Sequence, residues 1–268
     1  MTRLFALWLA LFSAAFSLPL SATDAPTALV TGGNRGLGFK WVEMYAERGW
    51  QVIATARRPA AASELQVLAD TSGRIRIERL DVTDPESVNA LARRLEGQPI
   101  DVLINNAGML GNEQGQRFGE LDPAMFDTFM RVNALGALLV TEALMPNLRA
   151  GQQKKVAGIS AVVASFDVYP RIHRGLYYYK ASKVALNMIL RNIALDGMAE
   201  GIAVAVLSPG VVNTYGTPDP DRDSMSPEMR RSMVDVDTSV GGMMQVMDEL
   251  TLEGSGRWYR YNGEIISW

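Results

Sequence analysis

A tyrosine and a lysine four positions apart are the residues of this sequence best suited to acid-base chemistry. Tyr179 and Lys183 lie in the run Tyr-Tyr-Tyr-Lys-Ala-Ser-Lys, which ends at Lys183. If residues 177–195 form a helix, the two side chains share one face and lie about 6 Å apart. A tyrosine has an ordinary pKa of about 10, and a nearby cation stabilises the phenolate and lowers that pKa. The pair therefore predicts a tyrosine that transfers a proton, although a packed ring beside a solvated lysine has the same spacing.

A glycine-rich turn lies far upstream of this pair. The run from Thr31 to Gly38, Thr-Gly-Gly-Asn-Arg-Gly-Leu-Gly, follows an apolar strand and opens a helical segment. Glycines in this setting let the backbone approach a ligand, and the N–H groups at a helix N-terminus favour a phosphate. The turn predicts a dinucleotide site, with an ordinary tight turn as the alternative.

Arginines stand where an NAD-binding chain would carry an acid. The second predicted strand ends in Thr-Ala-Arg-Arg, residues 55–58. An acidic residue at this place would hold the ribose diol of NAD. Arg57, with Arg35 inside the glycine-rich turn, instead offers guanidinium groups suited to a 2′-phosphate. The pattern favours NADP(H), while two solvated surface arginines are the simpler alternative.

Composition narrows the possible chemistry further. The 268 residues carry a net charge of −3, with a sequence pI of about 5.4, so no basic surface for nucleic acid is expected. The chain has no cysteine and a single histidine, His173. Disulfides, thiolate nucleophiles and multi-histidine metal sites are thereby excluded, and no metal site is predicted.

Short apolar runs alternate with helical segments along the chain. The strands are predicted at Ala28 to Thr31, Gln51 to Thr55, Ile75 to Leu80, Val102 to Asn105, Val156 to Ser160 and Ala203 to Ser208. The helices are predicted at Phe39 to Arg48, Ser63 to Asp70, Pro85 to Leu95, Met125 to Leu148 and Tyr177 to Glu200. This alternation predicts an α/β fold, a Rossmann-type doubly wound parallel sheet in a single domain, residues 23–268. A polar, proline-rich segment near 213–235 is predicted to be a loop over the site.

The first 22 residues differ from the rest. Arg3 is their one charged side chain, Leu4 to Leu18 is almost wholly apolar, and the segment ends in small residues. This pattern predicts a signal peptide, or an uncleaved membrane anchor through residues 4–20, and hence an exported, periplasmic or membrane-anchored protein. The alternative is a cytoplasmic enzyme with a misassigned start, because nicotinamide cofactors are expected to be scarce outside the cytoplasm.

From Ala28 onward the chain resembles the short-chain dehydrogenase/reductase family. The resemblance rests on the glycine-rich turn, Asp81-Val82, the run Asn105-Asn106-Ala107-Gly108, Asn133, Tyr179 with Lys183, and the run from Ser208 to Thr214. The run from Gly256 to Trp268 further resembles sniffer-type carbonyl reductases and C-factor-like members.

The resemblance implies a role for each of these residues. Tyr179 would be the catalytic acid, Lys183 would lower its pKa and hold the nicotinamide ribose, and Asn133 would hold a water in a proton relay. The implied cofactor-binding residues are Gly32, Asn34, Arg35, Gly36, Leu37, Gly38, Arg57, Asp81, Val82, Asn105, Ala107, Gly108, Tyr179, Lys183, Pro209, Gly210, Val212 and Thr214. It also implies a homo-oligomer, a dimer or tetramer, with Ala134 to Leu144 and Val184 to Leu195 as candidate faces. Tyr177 and Tyr178 have no lysine four residues on and are assigned to packing or substrate contact.

One departure from the family pattern affects the predicted function. Ala161 stands where the family usually has a serine that hydrogen-bonds the substrate carbonyl. Ser160 is expected to point to the opposite side of its strand, and Ser165 follows four residues later. Either serine could substitute, the enzyme could be slow, or the fold could serve binding alone. The first hypothesis is an NADPH-dependent reductase that converts an aldehyde or ketone to an alcohol, and the second is a nucleotide-binding signalling or scaffold protein.

Overall fold

A parallel sheet forms the centre of the protein. The computed structural model describes residues 25–111, 114–167, 175–214 and 231–268. The strands in this part are β1 (Thr27–Val30), β2 (Gln51–Ala56), β3 (Ile75–Arg79), β4 (Val102–Asn105), β5 (Lys155–Ile159), β6 (Ala203–Ser208), β7 (Val211–Val212), β8 (Met233–Val234) and β9 (Trp258–Arg260). Seven of them form one sheet in the order β3-β2-β1-β4-β5-β6-β9, and all of its pairings are parallel. The predicted doubly wound sheet is confirmed.

Helices cover both faces of the sheet. They are α1 (Gly36–Glu47), α2 (Ser63–Ser72), α3 (Pro85–Arg94), α4 (Ala124–Met130), α5 (Gly136–Ala143), α6 (Met145–Ala150), α7 (Tyr177–Gly197) and α8 (Val236–Glu249). Alternate strand residues enter opposite cores: Leu29 packs with α3, α5 and α7, whereas Val30 packs with α1 and α8. Because both faces are covered, the five inner strands β1, β2, β4, β5 and β6 are mostly apolar and buried, which is why they are recognisable in the sequence.

The helix predicted from Met125 to Leu148 is interrupted twice. A π-helical turn, Arg131–Leu135, separates α4 from α5, and Leu144 separates α5 from α6. The second break follows from Pro146 in the first turn of α6, since proline lacks an N–H and its ring clashes with the preceding turn. The prediction of one continuous helix is therefore wrong, although its two ends lie within two residues of the predicted limits.

The C-terminal part was predicted least well. Helix α8 and strand β9 were not predicted, although β9 extends the sheet beside β6. Trp258, the first residue of β9, packs against Trp268 with ring centroids 5.4 Å apart. The guanidinium of Arg191 on α7 lies 4.9 Å from the Trp268 ring centroid.

Two predicted segments lie wholly or largely outside the described residues. Of the predicted loop near 213–235, residues 215–230 are outside, and its two flanks are joined because β7 pairs with β8. The predicted N-terminal segment, residues 1–22, is outside altogether. Among the described residues, no helix is long and apolar enough to cross a membrane.

Candidate active site

The predicted site residues gather at one edge of the sheet. Because all seven strands run in parallel, their carboxyl ends meet at this edge, which is where ligands bind in such sheets. The residues that follow the strands there are Thr31 to Gly38 after β1, Arg57 after β2, Asp81 after β3, Asn105 to Gly108 at the end of β4, Ala161 after β5 and Pro209 to Thr214 after β6.

The glycine-rich turn forms a cradle that other residues would fill. Gly32 and Gly36 have φ angles of +66° and +56°, in the left-handed region that favours glycine. A Cβ at Gly38 would collide with the carbonyl oxygen of Gly32 and the side-chain amide of Asn106. Helix α1 begins at Gly36. The side chain of the preceding residue, Arg35, makes no capping hydrogen bond to the first turn. The first-turn N–H groups of α1 thus face the position where a phosphate would bind.

Asn106 fastens this turn to the end of β4. Its Nδ2 donates to the carbonyl oxygens of Thr31 at 2.9 Å and Gly32 at 3.2 Å. In return, Oγ1 of Thr31 accepts from the backbone N–H groups of Asn106 at 3.0 Å and Ala107 at 2.9 Å. Asn106 was not predicted as a site residue on its own, and its signal in the sequence was the pair of asparagines in the run 105–108.

Asn105 ties the central strand β4 to the helix layer. Its Nδ2 donates to Oγ1 of Thr141 on α5 at 3.0 Å, and within the described residues its Oδ1 accepts no hydrogen bond. On the same helix layer, Val82 lies against Gly136, where an added Cβ would fall 2.9 Å from the Val82 side chain. The end of β4 and the segment after β3 are thus held by α5.

Gly108 marks the point where three predicted residues converge. A Cβ at Gly108 would lie 3.3 Å from Oδ1 of Asn133 and 3.5 Å from Nζ of Lys183. Both side chains are almost fully buried. The structure therefore brings together the segment after β4, the π turn and α7, as the resemblance implied.

Tyr179 and Lys183 share one face of α7. Nζ of Lys183 lies 5.7 Å from the centroid of the Tyr179 ring and donates to the carbonyl oxygen of Ile159 at 2.7 Å. Burial raises the pKa of Tyr179 to about 12, and burial lowers the pKa of Lys183 to about 8. The predicted geometry is confirmed, but the expected lowering of the Tyr179 pKa is wrong for the protein alone, since desolvation outweighs the nearby ammonium.

Asn133 is part of the π turn and bridges two elements. Its Nδ2 donates to the carbonyl oxygen of Met109 at 2.9 Å and to Oγ of Ser182 at 2.9 Å. Its Oδ1 accepts from the Met109 N–H at 2.8 Å. Both donors are therefore used, and one acceptor position on Oδ1 remains. A π turn is a frequent feature of functional sites, which agrees with the place of Asn133 beside Lys183.

The serines considered as replacements at Ala161 are both engaged elsewhere. Ser160 donates to Oδ1 of Asn187 at 2.5 Å, so its one hydroxyl proton is used in a bond to α7. Ser165 donates to the carbonyl oxygen of Ser267 at 2.8 Å. Ala161 itself is half-buried and in extended conformation at the end of β5.

Arg57 lies close to Asp81 at the far end of the edge. Partial burial by itself would raise the pKa of Asp81, but hydrogen bonds from Thr83 and the positive charges of Arg57 and Arg79 lower it. Arg57 and Arg35 are both exposed, and Asn34 and Leu37 between them and the core are half-buried. Both guanidinium groups therefore lie at the surface, at the end of the edge where a 2′-phosphate is predicted.

The segment after β6 crosses the glycine-rich turn. Gly210, with a φ of +81°, packs against the ring of Tyr261, and Val212 pairs with Val234. A Cβ at Gly36 would lie 3.2 Å from Cβ of Thr214. The chain from Pro209 to Thr214 thus closes the opposite side of the cradle.

The other two tyrosines of the run pack against phenylalanines. Tyr178 is buried, with its ring centroid 5.8 Å from that of Phe126 and 6.3 Å from that of Phe129. Tyr177 is exposed and lies 6.2 Å from Phe118. Tyr178 therefore takes a packing role, and Tyr177 remains on the surface.

Comparison with known proteins decides the family. The family model described as short chain dehydrogenase matches residues 26–223. The chain belongs to the short-chain dehydrogenase family. Among relatives of that family, it is 36% identical to the C-signal of Myxococcus xanthus over 182 residues, covering 68% of this chain and 100% of that protein.

Solved structures of the family agree with the fold. The carbonyl reductase from chicken fatty liver, solved with NADPH bound, superposes with a TM-score of 0.80 at 31% identity, covering 91% of this chain and 100% of that one. The carbonyl reductase Sniffer of Drosophila melanogaster gives 0.78 at 25% identity, with the same coverage of the two chains. The predicted resemblance to the sniffer-type and C-factor-like members is confirmed, and so is the activity class, oxidoreductase.

Proposed function

We propose that this short-chain dehydrogenase reduces an aldehyde or ketone to an alcohol with NADPH, and that Tyr179 donates the proton. The observation that carries the proposal is the convergence of Tyr179, Lys183, Asn133 and Gly108 beside the glycine-rich turn. The names of the chicken and Drosophila carbonyl reductases support the same reaction.

The residues present fit a dinucleotide phosphate. The cradle at Gly32, Gly36 and Gly38 has room where side chains would intrude, and the N-terminus of α1 faces it. Arg57 and Arg35 would hold a 2′-phosphate, and Asp81 would meet the adenine. NADPH bound there supplies the hydride. The solved chicken enzyme, which has NADPH bound, supports this preference.

Each catalytic side chain has a defined task in the proposed reaction. Tyr179 stays protonated at neutral pH and gives its proton to the carbonyl oxygen as that oxygen gains charge. Lys183 supplies a positive charge beside the phenolate that then forms, and its bond to Ile159 fixes its position. Asn133 holds Met109 and Ser182 in place around them, and the acceptor position left on its Oδ1 is available to a water.

Ala161 favours a second function, that of a nucleotide-binding signalling or scaffold protein. The serine hydroxyl expected at this place is missing, and both nearby serines donate elsewhere. The similarity to the C-signal of Myxococcus xanthus adds weight to this candidate. Such a protein would bind NADPH without turnover.

One experiment separates the two functions. The purified protein is titrated with NADPH and NADH, and loss of the reduced nicotinamide absorbance is followed with a panel of aldehydes and ketones. Preferential NADPH binding with turnover supports the reductase, and binding without turnover supports the second function. Tyr179→Phe is expected to lower kcat by about 10²-fold or more, whereas the matched control Tyr178→Phe is expected to keep it.

We also propose a homo-oligomer formed through α5 and α7. Exposed apolar side chains stand within the two candidate faces: Leu135 lies just before α5, and Met188 and Leu195 lie on α7. Light scattering after size exclusion tests this proposal, and Met188→Glu is expected to shift the mass toward that of a monomer. An unchanged oligomer would place the interface elsewhere.

For residues 1–22 we propose export or membrane anchoring of the domain at residues 23–268. The support is the apolar segment that follows Arg3. Cell fractionation with mass measurement of the recovered protein tests this, since cleavage after Ala22 leaves a chain that begins at residue 23. A full-length product in the cytoplasm would contradict the proposal.

A further inference from the structure

A buried glutamine joins the segment after β4 to the helix that carries Tyr179. Gln116 lies in the loop between β4 and α4, and its side chain is fully buried. Its Nε2 donates to the carbonyl oxygen of Leu110 at 3.2 Å, and its Oε1 accepts from the backbone N–H of Tyr179 at 3.0 Å. Buried side-chain amides are usually hydrogen-bonded. The N–H and the oxygen of this amide bind two different parts of the site and so connect them.

Helix α7 begins without a capping side chain of its own. The preceding residue, Leu176, has a φ of +55° and no hydroxyl or carboxylate to offer. The first-turn N–H groups of a helix need partners from outside it. Gln116 supplies two of them, because its carbonyl oxygen accepts from the N–H of Tyr177 at 3.3 Å while its side chain accepts from that of Tyr179. The cap of α7 therefore comes from a residue 63 positions before Tyr179.

Two further hydrogen bonds of α7 near the site hold the next turn. Ser182 bonds to Asn133, and Lys183 bonds to the carbonyl oxygen of Ile159 on β5. Tyr179 lies one turn earlier, where the helix is next to its end and tends to fray. Gln116 holds the backbone of Tyr179 at that weak point.

We propose that Gln116 is a positioning residue for the proton donor. By capping α7 at Tyr179 and bonding to Leu110, it fixes the distance between the tyrosine ring and the segment that follows β4 and lines the cofactor side of the site. The inference rests on the proposed function, in which Tyr179 gives the proton. Small errors in the placement of a reacting group cost large factors in rate.

The kinetic test replaces Gln116 by residues of nearly the same size. Gln116→Met removes the side-chain hydrogen bonds to Leu110 and Tyr179, and we expect kcat to fall about tenfold or more, with KM and the NADPH dissociation constant changed less than about twofold. Gln116→Glu keeps an acceptor for the Tyr179 N–H at the helix N-terminus but cannot donate to Leu110 as a carboxylate, so it is expected to recover part of the loss. Gln114→Met, at an exposed position in the same loop, is the matched control and is expected to behave as wild type.

Hydrogen exchange provides a readout that does not depend on turnover. In Gln116→Met, the amides of Tyr177 to Lys180 are expected to exchange at least about fivefold faster, while those of the sheet stay unchanged. Unchanged exchange in the first turn would overturn the capping role, and faster exchange with an unchanged kcat would overturn the positioning role. If the wild type shows no turnover, the proposed function and the positioning role fall together, and exchange alone still decides whether Gln116 caps the helix.

Discussion

The hydroxyl of Ser160 donates to Oδ1 of Asn187, 2.5 Å away, on the side of β5 that faces α7. A hydroxyl has one proton to donate, so this bond leaves Ser160 none for a substrate carbonyl. Ser165 is committed in the same way to the backbone of Ser267. Neither serine therefore has a hydroxyl proton left to replace the missing one at Ala161, and among the described residues Tyr179 is the donor that we assign to a carbonyl oxygen.

Restoring the missing donor is expected to accelerate the reaction. Ala161→Ser would place a hydroxyl at the end of β5, and a preorganised donor to a developing oxyanion is worth about 10²-fold in rate. We expect kcat to rise by about tenfold or more, measured with the best carbonyl substrate of the panel. The control Ser160→Ala leaves Asn187 without its donor and is expected to cost about 1 kcal/mol of stability with little change in kcat. A Ser160→Ala variant that loses most of its turnover would show that Ser160 does reach the substrate.

Reversing the charge of Arg57 is expected to change the cofactor preference. A carboxylate in Arg57→Asp would repel a 2′-phosphate and could accept from a ribose diol, so the ratio of NADPH to NADH affinity should fall at least about tenfold. Fluorescence titration with both cofactors measures this ratio. Arg74→Asp makes the same charge change at the amino end of β3, away from the site, and should leave the ratio unaltered. An equal effect of both variants would mean that overall charge, not a phosphate contact, sets the preference.

The buried ammonium of Lys183 is expected to reduce stability in a pH-dependent way. Burial lowers its pKa from 10.5 to about 8, so between these values the unfolded chain binds more protons and wild-type stability rises with pH. Below about pH 8 the charged form is penalised by up to about 3 kcal/mol. Lys183→Met should therefore be more stable than wild type at pH 7 and lose this advantage as the pH approaches 10.5, while its turnover is lost. Denaturant unfolding at both pH values measures the difference, and an advantage that does not vary with pH would contradict the assignment.

A side chain at Gly38 is expected to spoil the cradle. The added Cβ of Gly38→Ala would meet the carbonyl oxygen of Gly32, and the shift needed should cost about 1–3 kcal/mol and weaken NADPH binding at least about tenfold. Gly241→Ala, within α8, is the matched control. Among the described residues its Cβ would contact only the terminal methyl of Met44, at an ordinary distance of 3.5 Å. Thermal unfolding and cofactor titration of both variants test this, and tight NADPH binding by Gly38→Ala would refute the cradle.

Much of this site could be predicted because its signals are local. Gly32 and Gly36 are required by their positive φ angles and Gly38 by the close approach of Gly32, and the spacing of Tyr179 and Lys183 follows from the helical repeat. The inner strands of the sheet were recognisable because both of its faces are buried.

The features that were not predicted depend on contacts distant in sequence. Gln116 gives no local sign that it caps α7, since its partner Tyr179 is brought close only by the fold. The pKa of Tyr179 could not be obtained from its spacing to Lys183, because the degree of burial decides the direction. Strand β9 is short and lies between polar residues, so its place in the sheet is set by β6.

The contacts made by residues 258–268 bear on when the site can form during synthesis of the chain. The carbonyl oxygen of Ser267 holds Ser165 in the turn that begins at Ala161, and Trp268 packs on Trp258. Six strands of the sheet have left the ribosome before this tail does, and parallel sheets of distant segments form slowly. The turn that begins at Ala161 can therefore gain its bond to Ser267, and β6 its pairing with β9, only after residues 258–268 have emerged.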